Sequence, residues 1–193
     1  MAPSPRPYHH GDLPRALIAA ALELIDEVGP AALSLREVAR RAGVSHGAPA
    51  HHFGDKAGLL TAVAAQGYEL LGAALADAFE STGEFREVGV AYVRFALSHR
   101  AHFEVMFRPE LYRDDDPAVV AARVPSSAML YGPPADLSGD AVTAVNGAVA
   151  AWSLVHGFAT LWLSGNLERA VPGDPEDAAR AITGFLSIRA DLA

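Results

Sequence analysis

The chain has 193 residues, 51% of them hydrophobic, with 15 Lys/Arg against 23 Asp/Glu, a formal net charge of -8 and no cysteine. The missing cysteine excludes disulfides, thiolate chemistry and cysteine-ligated zinc. The opening Met1-Ala-Pro-Ser-Pro-Arg-Pro7 lacks the apolar stretch of a signal peptide, and no uninterrupted run approaches the ~20 apolar residues of a membrane span, so a cytoplasmic chain without membrane contact is expected.

Long Ala/Leu/Val runs with little polar alternation predict an all-α protein. The charge is unevenly spread. Residues 1–60 hold six Lys/Arg and six Asp/Glu, so the whole net charge falls beyond residue 60. Five of the eight histidines lie within the first 52 residues. This balance permits nucleic-acid binding through placed contacts rather than through a broad positive field.

In chain order, residues 1–10 are a proline-rich tail expected to be loosely ordered. Asp12 is placed to cap a first helix, with Pro14 in its first turn. Leu17, Ile18, Ala21, Leu24, Ile25 and Val28 form one apolar stripe, ended by Gly29-Pro30. Ser34 and Glu37 have capping-box spacing for a second helix, with Leu35, Val38 and Ala39 inward and Arg36, Arg40 and Arg41 outward.

Gly43 then suits a tight corner, because glycine alone takes a positive φ without strain. Small Ala39 allows the two helices to approach, and Val44 plugs the space beneath the corner. Ser45 is expected to cap a third helix that turns Ser45, His46, Gly47 and His51 toward a DNA groove. Pro49, four residues past that cap, predicts a short or distorted helix. Phe53 is read as its core anchor. His51 and His52 are adjacent and cannot share one face, so one of them is expected to pack or cap. This helix, turn and helix is the outline of a helix-turn-helix.

Further helices are expected over residues 55–79 and 84–99, with an aromatic connection or short helix over 102–112. Arg113-Asp-Asp-Asp-Pro117 reads as a solvated break before a helix over 117–129. Gly132-Pro-Pro134 stops that helix, and residues 138–163 and 175–192 complete the set.

The stretches Leu35-Arg-Glu-Val-Ala39, Ala42-Gly-Val-Ser45 and His52-Phe-Gly-Asp-Lys56, with Leu59-Leu60 after them and His10-Gly-Asp-Leu13 before, are similar to the N-terminal signature of the TetR family of bacterial transcriptional repressors. Ala151-Trp-Ser-Leu-Val-His-Gly-Phe158 resembles a Trp/Val-His-Gly motif of one C-terminal subgroup. The resemblance implies a three-helix DNA-binding domain (11–55) joined to a larger helical regulatory and dimerisation domain (56–193). It also implies a homodimer on a palindromic operator, a small and largely apolar effector, and no cofactor. Lys56 would reach the DNA backbone from the start of the fourth helix. One departure is plain: the family places an aromatic residue, most often tyrosine, where this chain has Ala50.

The expected DNA contacts are therefore Ser45, His46, Gly47 and His51 near the groove, with His52, Lys56, Arg36 and Arg40 at phosphates. His102, Phe103, Met106, Phe107, Trp152 and His156 are candidates for an apolar cavity with a few polar handles. Val145 and Val149, with Ile182, Phe185 and Leu186 on the last helix, are candidates for the surface between subunits. No catalytic or metal site is expected, since the spacing of His99 and His102 has no nearby carboxylate to complete it. The competing readings are an enzyme built on these histidines and a helical interaction module that has lost DNA binding.

Overall fold

The computed structural model describes residues 13–131, 141–167 and 170–187, with the side chains of 141–144 and 185–187 left aside. The proline-rich tail, the Asp12 cap and the Gly132-Pro-Pro134 stop lie outside the described residues, as do the side chains of Phe185 and Leu186. Among the described residues all regular structure is helical. The chain runs through α1 (Leu13–Val28), α2 (Leu35–Arg41), α3 (Ala48–Phe53), α4 (Lys56–Thr82), α5 (Phe85–Ser98), α6 (Arg100–Met106), α7 (Pro117–Tyr131), α8 (Ala141–Leu163) and α9 (Pro175–Ser187). Short 3-10 turns at Pro30–Ala32 and Pro109–Leu111 complete it.

The first three helices form the head. Leu17, Ala20, Ala21, Leu24 and Ile25 bury one face of α1 against Val38 and Ala39 of α2. The polar face carries Glu27, which takes two hydrogen bonds from Arg41 at 2.6 and 2.9 Å and so ties α1 to α2. Arg41 is therefore a strut between helices rather than an outward charge. Ser34 does occupy the N-cap of α2, but its side chain makes no cap hydrogen bond. Glu37 turns along the helix to Arg40 instead, so the expected capping box is not formed. An ionised guanidinium is the stronger partner for a carboxylate than a backbone amide.

Asp55 caps α4 by accepting from the Gly58 amide at 2.8 Å. At 1.5 Å per residue the 27 residues of α4 span roughly 40 Å, from the head to the far end of the body. By length and hydropathy this helix alone, among the described residues, is long and apolar enough to cross a bilayer. Most of its apolar residues are instead buried, with Leu59, Leu60, Val63 and Leu75 fully so, while Leu70 and Phe79 remain exposed. Close packing follows from its glycines. A Cβ at Gly67 would sit 2.5 Å from Met106 Sδ, and one at Gly72 would sit 3.0 Å from Pro125 Cβ. These two positions let α6 and α7 approach the backbone of α4.

The other side of the body is α5 packed on α8 and α9. Arg94 and Arg180 of α5 and α9 pair with Glu176 and Glu87 across that contact. The bounds of α4, α5 and α7, the end of α8 and the start of α9 fall within three residues of expectation. Residues 138–140 and 188–192 of the expected helices lie outside the described residues, and Pro125 inside α7 does not end that helix.

Candidate nucleic-acid interface

The corner between α2 and α3 is built by backbone hydrogen bonds. Gly43 has φ 68°, and the Val44 amide donates to Ala39 at 3.0 Å, closing the end of α2. Val44 is half-buried against the core and Ala39 is fully buried, as the close crossing of α2 and α3 requires.

After the corner the chain differs from expectation. Ser45 does not cap a helix: its carbonyl accepts from Ala48 in a turn, and α3 starts three residues later with Gly47 at its N-cap. Pro49 consequently lies in the first turn, where its missing amide costs no intrahelical bond. It is buried and helps seat the helix rather than distorting its end. The helix is short, six residues, and Phe53 packs against the core as its anchor.

With Pro49 and Phe53 turned inward, Ser45, His46, Gly47, Ala50, His51 and His52 are all exposed. Neither His51 nor His52 packs or caps, contrary to the expectation from their adjacency. Their rings meet edge to face with centroids 5.4 Å apart. Arg36 is exposed on the preceding helix, and Arg40 is exposed but held by Glu37. The Lys56 amine donates to the Ala31 carbonyl at 2.5 Å, so it lies beside the turn that follows α1. Ala50 offers a methyl group where the resemblance expects an aromatic ring.

The pocket candidates separate into three places. His102 is buried and its Nε2 is 3.0 Å from Gln66 Oε1, which sets it apart from the two cavities that the other candidates line. Burial, with His99 nearby as the smaller influence, lowers its pKa to about 4. Phe103, Phe107 and His156 line a cavity of about 330 Å³ that also touches Thr160. Met106, Phe107 and Trp152 line a second cavity of about 340 Å³, bounded by Tyr68, Tyr112 and Arg123. Phe107 is the wall common to both.

Tyr92 is the polar hub that the sequence did not announce. The Trp152 indole donates to its hydroxyl at 3.2 Å, and the same hydroxyl is 2.9 Å from His156 Nδ1. An indole can only donate, so the Tyr92 oxygen accepts from Trp152 and shares one further hydrogen bond with Nδ1, in the direction set by the imidazole tautomer. Burial lowers the His156 pKa, which keeps that ring neutral at pH 7. On the outer face of α8, Val145 and Val149 are 55% and 43% exposed, a separation from the core that suits contact with another surface. Ile182 is half-buried against the core of its own chain. Among the described residues no three His, Asp or Glu side chains stand together to hold a metal ion.

Comparison with known proteins agrees with this architecture. Residues 17–63 match the profile of bacterial regulatory proteins of the tetR family, and residues 85–186 match the tetracyclin repressor-like C-terminal domain. The HTH-type transcriptional regulator BetI of Ectopseudomonas mendocina is 49% identical over 59 residues, 31% of this chain and 30% of that relative. The chain thus matches under a third of that curated relative's length. A Rhodococcus sp. RHA1 protein of unknown function is 34% identical, with TM-score 0.77 over 94% of this chain and 97% of its own. PfmR, a TetR family transcriptional regulator from Thermus thermophilus, shares the fold at 22% identity, with TM-score 0.66 over 88% and 96% of the two chains. With both its helix-turn-helix head and its C-terminal body matched, the chain belongs to the tetR family of bacterial regulatory proteins.

Proposed function

We propose that the chain is a DNA-binding transcriptional regulator, not an enzyme, that represses by occupying a palindromic operator as a homodimer. The observation that carries this reading is the surface after Gly43. Pro49 and Phe53 anchor α3 from beneath while Ser45, His46, Gly47, His51 and His52 stand exposed above it. Hydroxyl and imidazole groups can reach base edges, while Lys56, Arg36 and Arg40 supply phosphate contacts. One such head covers only a few base pairs, so a two-fold pair with α3 helices about 34–36 Å apart is required for specificity. Val145 and Val149, exposed on α8, support the subunit contact, and Phe185 and Leu186 are assigned to it by the family resemblance alone. The boundaries follow the head and body: residues 11–55 read DNA and 56–193 pair and regulate. A chromosomal partner implies a cytoplasmic site of action.

The cavities beside Phe107 support response to a small, largely apolar effector. Val155-His156-Gly157 supports membership of the Trp/Val-His-Gly subgroup, since His156 and Trp152 converge on one hydroxyl. A second reading, an interaction module without DNA binding, is favoured by Ala50 and by the charge of -8.

Gel-shift and salt titrations with the promoter DNA flanking the protein's own gene separate the two. Specific, salt-dependent binding with two-fold stoichiometry supports the regulator. Binding no better than to competitor DNA leaves the interaction module.

A further inference from the structure

The 340 Å³ cavity is not uniformly apolar. Leu71, Met106, Phe107 and Trp152 contribute apolar lining, while Arg123 and Asp114 contribute charge to the same wall set. Arg123 lies 4.8 Å over the Tyr68 ring and pairs through Nη2 with Asp114. Its Nε is buried and has no hydrogen-bond partner among the described residues. The guanidinium edge formed by Nε and Nη2 is therefore half used. Nη2 donates to Asp114 Oδ1 and, at 3.4 Å, to the Tyr112 hydroxyl, whereas a carboxylate would accept from Nε and Nη2 together.

Asp114 is adjacent to the residue that grips the head. Arg113 donates to Asp55 at 2.9 Å, and its amide donates to Thr61 Oγ1 at 3.0 Å. Asp55 in turn starts α4 directly after α3. Tyr112, on the other side of Arg113, bounds the same cavity, with its hydroxyl 3.0 Å from the Met106 carbonyl and 3.2 Å from Asp114 Oδ1. The segment 112–114 thus faces the cavity with its first and third residues and the head with its second.

We propose that this cavity takes a small amphiphilic carboxylic acid whose carboxylate displaces Asp114 from Arg123, and that the displaced segment withdraws Arg113 from Asp55. This rests on the regulator reading and names the effector class and the route by which it reaches the DNA-binding head. The hydrocarbon body of the acid lies against the apolar side chains of Leu71, Met106, Phe107 and Trp152. At about 30 Å³ per water-sized unit, the space holds about ten to fifteen non-hydrogen atoms. Both ion pairs are exposed on at least one partner, at 48% for Asp114 and 61% for Asp55, so each is weak enough to be exchanged.

The probes are hydrocinnamate and octanoate, each against its neutral amide, titrated calorimetrically into the full-length protein without DNA. Amide hydrogen exchange at Arg113 is read in parallel. The acid is expected to bind about tenfold more tightly than its amide, as two charge-assisted hydrogen bonds would give. Arg123→Met should erase that preference. Asp114→Asn, at an exposed loop position, should fold normally and tighten acid binding severalfold, because the internal competitor is gone. Saturating acid should speed exchange of the Arg113 amide in the wild-type protein. Equal affinity for acid and amide, no binding of either acid at millimolar concentration, an unchanged acid affinity in Asp114→Asn, or an unchanged Arg113 amide would each overturn the proposal. Promoter binding by the unliganded protein is measured separately, so failure of the regulator reading appears there and failure of the acid site appears here.

Discussion

Arg113 donates from one guanidinium nitrogen to both carboxylate oxygens of Asp55, each at 2.9 Å, across 58 residues of sequence. Asp55 also caps α4 through the Gly58 amide. The two roles are separable. Arg113→Gln removes an exposed ion pair and is expected to cost at most about 1 kcal/mol, vanishing in molar salt. Asp55→Ala also removes the cap and is expected to cost about 1–2 kcal/mol, part of it surviving high salt. Urea unfolding of both variants at low and high salt checks this, and equal losses would mean that the cap contributes nothing.

Gly58 is fixed by space rather than by φ. A Cβ there would lie 1.9 Å from the Phe53 carbonyl oxygen and 2.7 Å from Arg113 Nη1. Alanine normally stabilises a helix interior, yet Gly58→Ala is expected to destabilise by about 1–3 kcal/mol as the α3–α4 junction is forced open. Gly43→Ala has open space but φ 68°, and should cost about 1 kcal/mol through backbone strain alone. Denaturation midpoints rank the two, and a stabilised Gly58→Ala would contradict so close a junction.

Lys56→Ala should weaken binding to operator and to random DNA alike, and lower the slope of log affinity against log salt by about one. Filter binding over a salt series reads both. A loss confined to the operator, with the slope unchanged, would show that Lys56 reads sequence instead of holding phosphate.

His102 ties stability to pH. Its folded pKa is lowered to about 4 by burial, with His99 the lesser cause, below the ordinary value of 6.5. The unfolded chain therefore binds the extra proton first. The stability contributed by the neutral, buried ring is fully present above about pH 6.5 and is lost progressively as pH falls toward 4. His156, also lowered by burial, acts in the same direction. His102→Gln keeps a partner for Gln66 and should flatten the fall in urea midpoint between pH 7 and pH 5. An equally steep fall in that variant would assign the pH dependence to other groups.

Val149→Asp places a charge on the outer face of α8 at a site already 43% exposed in the single chain. It should leave the melting of the isolated subunit nearly unchanged while turning a dimer into a monomer by sedimentation. A variant that sediments as the wild type does would move the subunit contact elsewhere.

Local chemistry alone specified the helices and the corner. The apolar stripe from Leu17 to Ile25 and the glycine at position 43 act over a few residues, so their consequences are legible in sequence. Pro49 is not legible in the same way: with Ser45 as the cap it falls inside the helix, and only the folded turn that starts α3 at Ala48 puts it in a first turn, where proline is tolerated. Glu37 had two partners within reach, a backbone amide and Arg40, and only the folded geometry chose between them. The same holds at larger range. Tyr92 meets His156 across 64 residues and Arg113 meets Asp55 across 58, and no periodicity encodes such pairs. Sequence determined which segments are helical and which face of each is apolar, because those follow from side chains three and four residues apart. The crossing of α4 with α6 and α7 decided which polar groups are buried together and where space is left between them, because that depends on how whole helices pack.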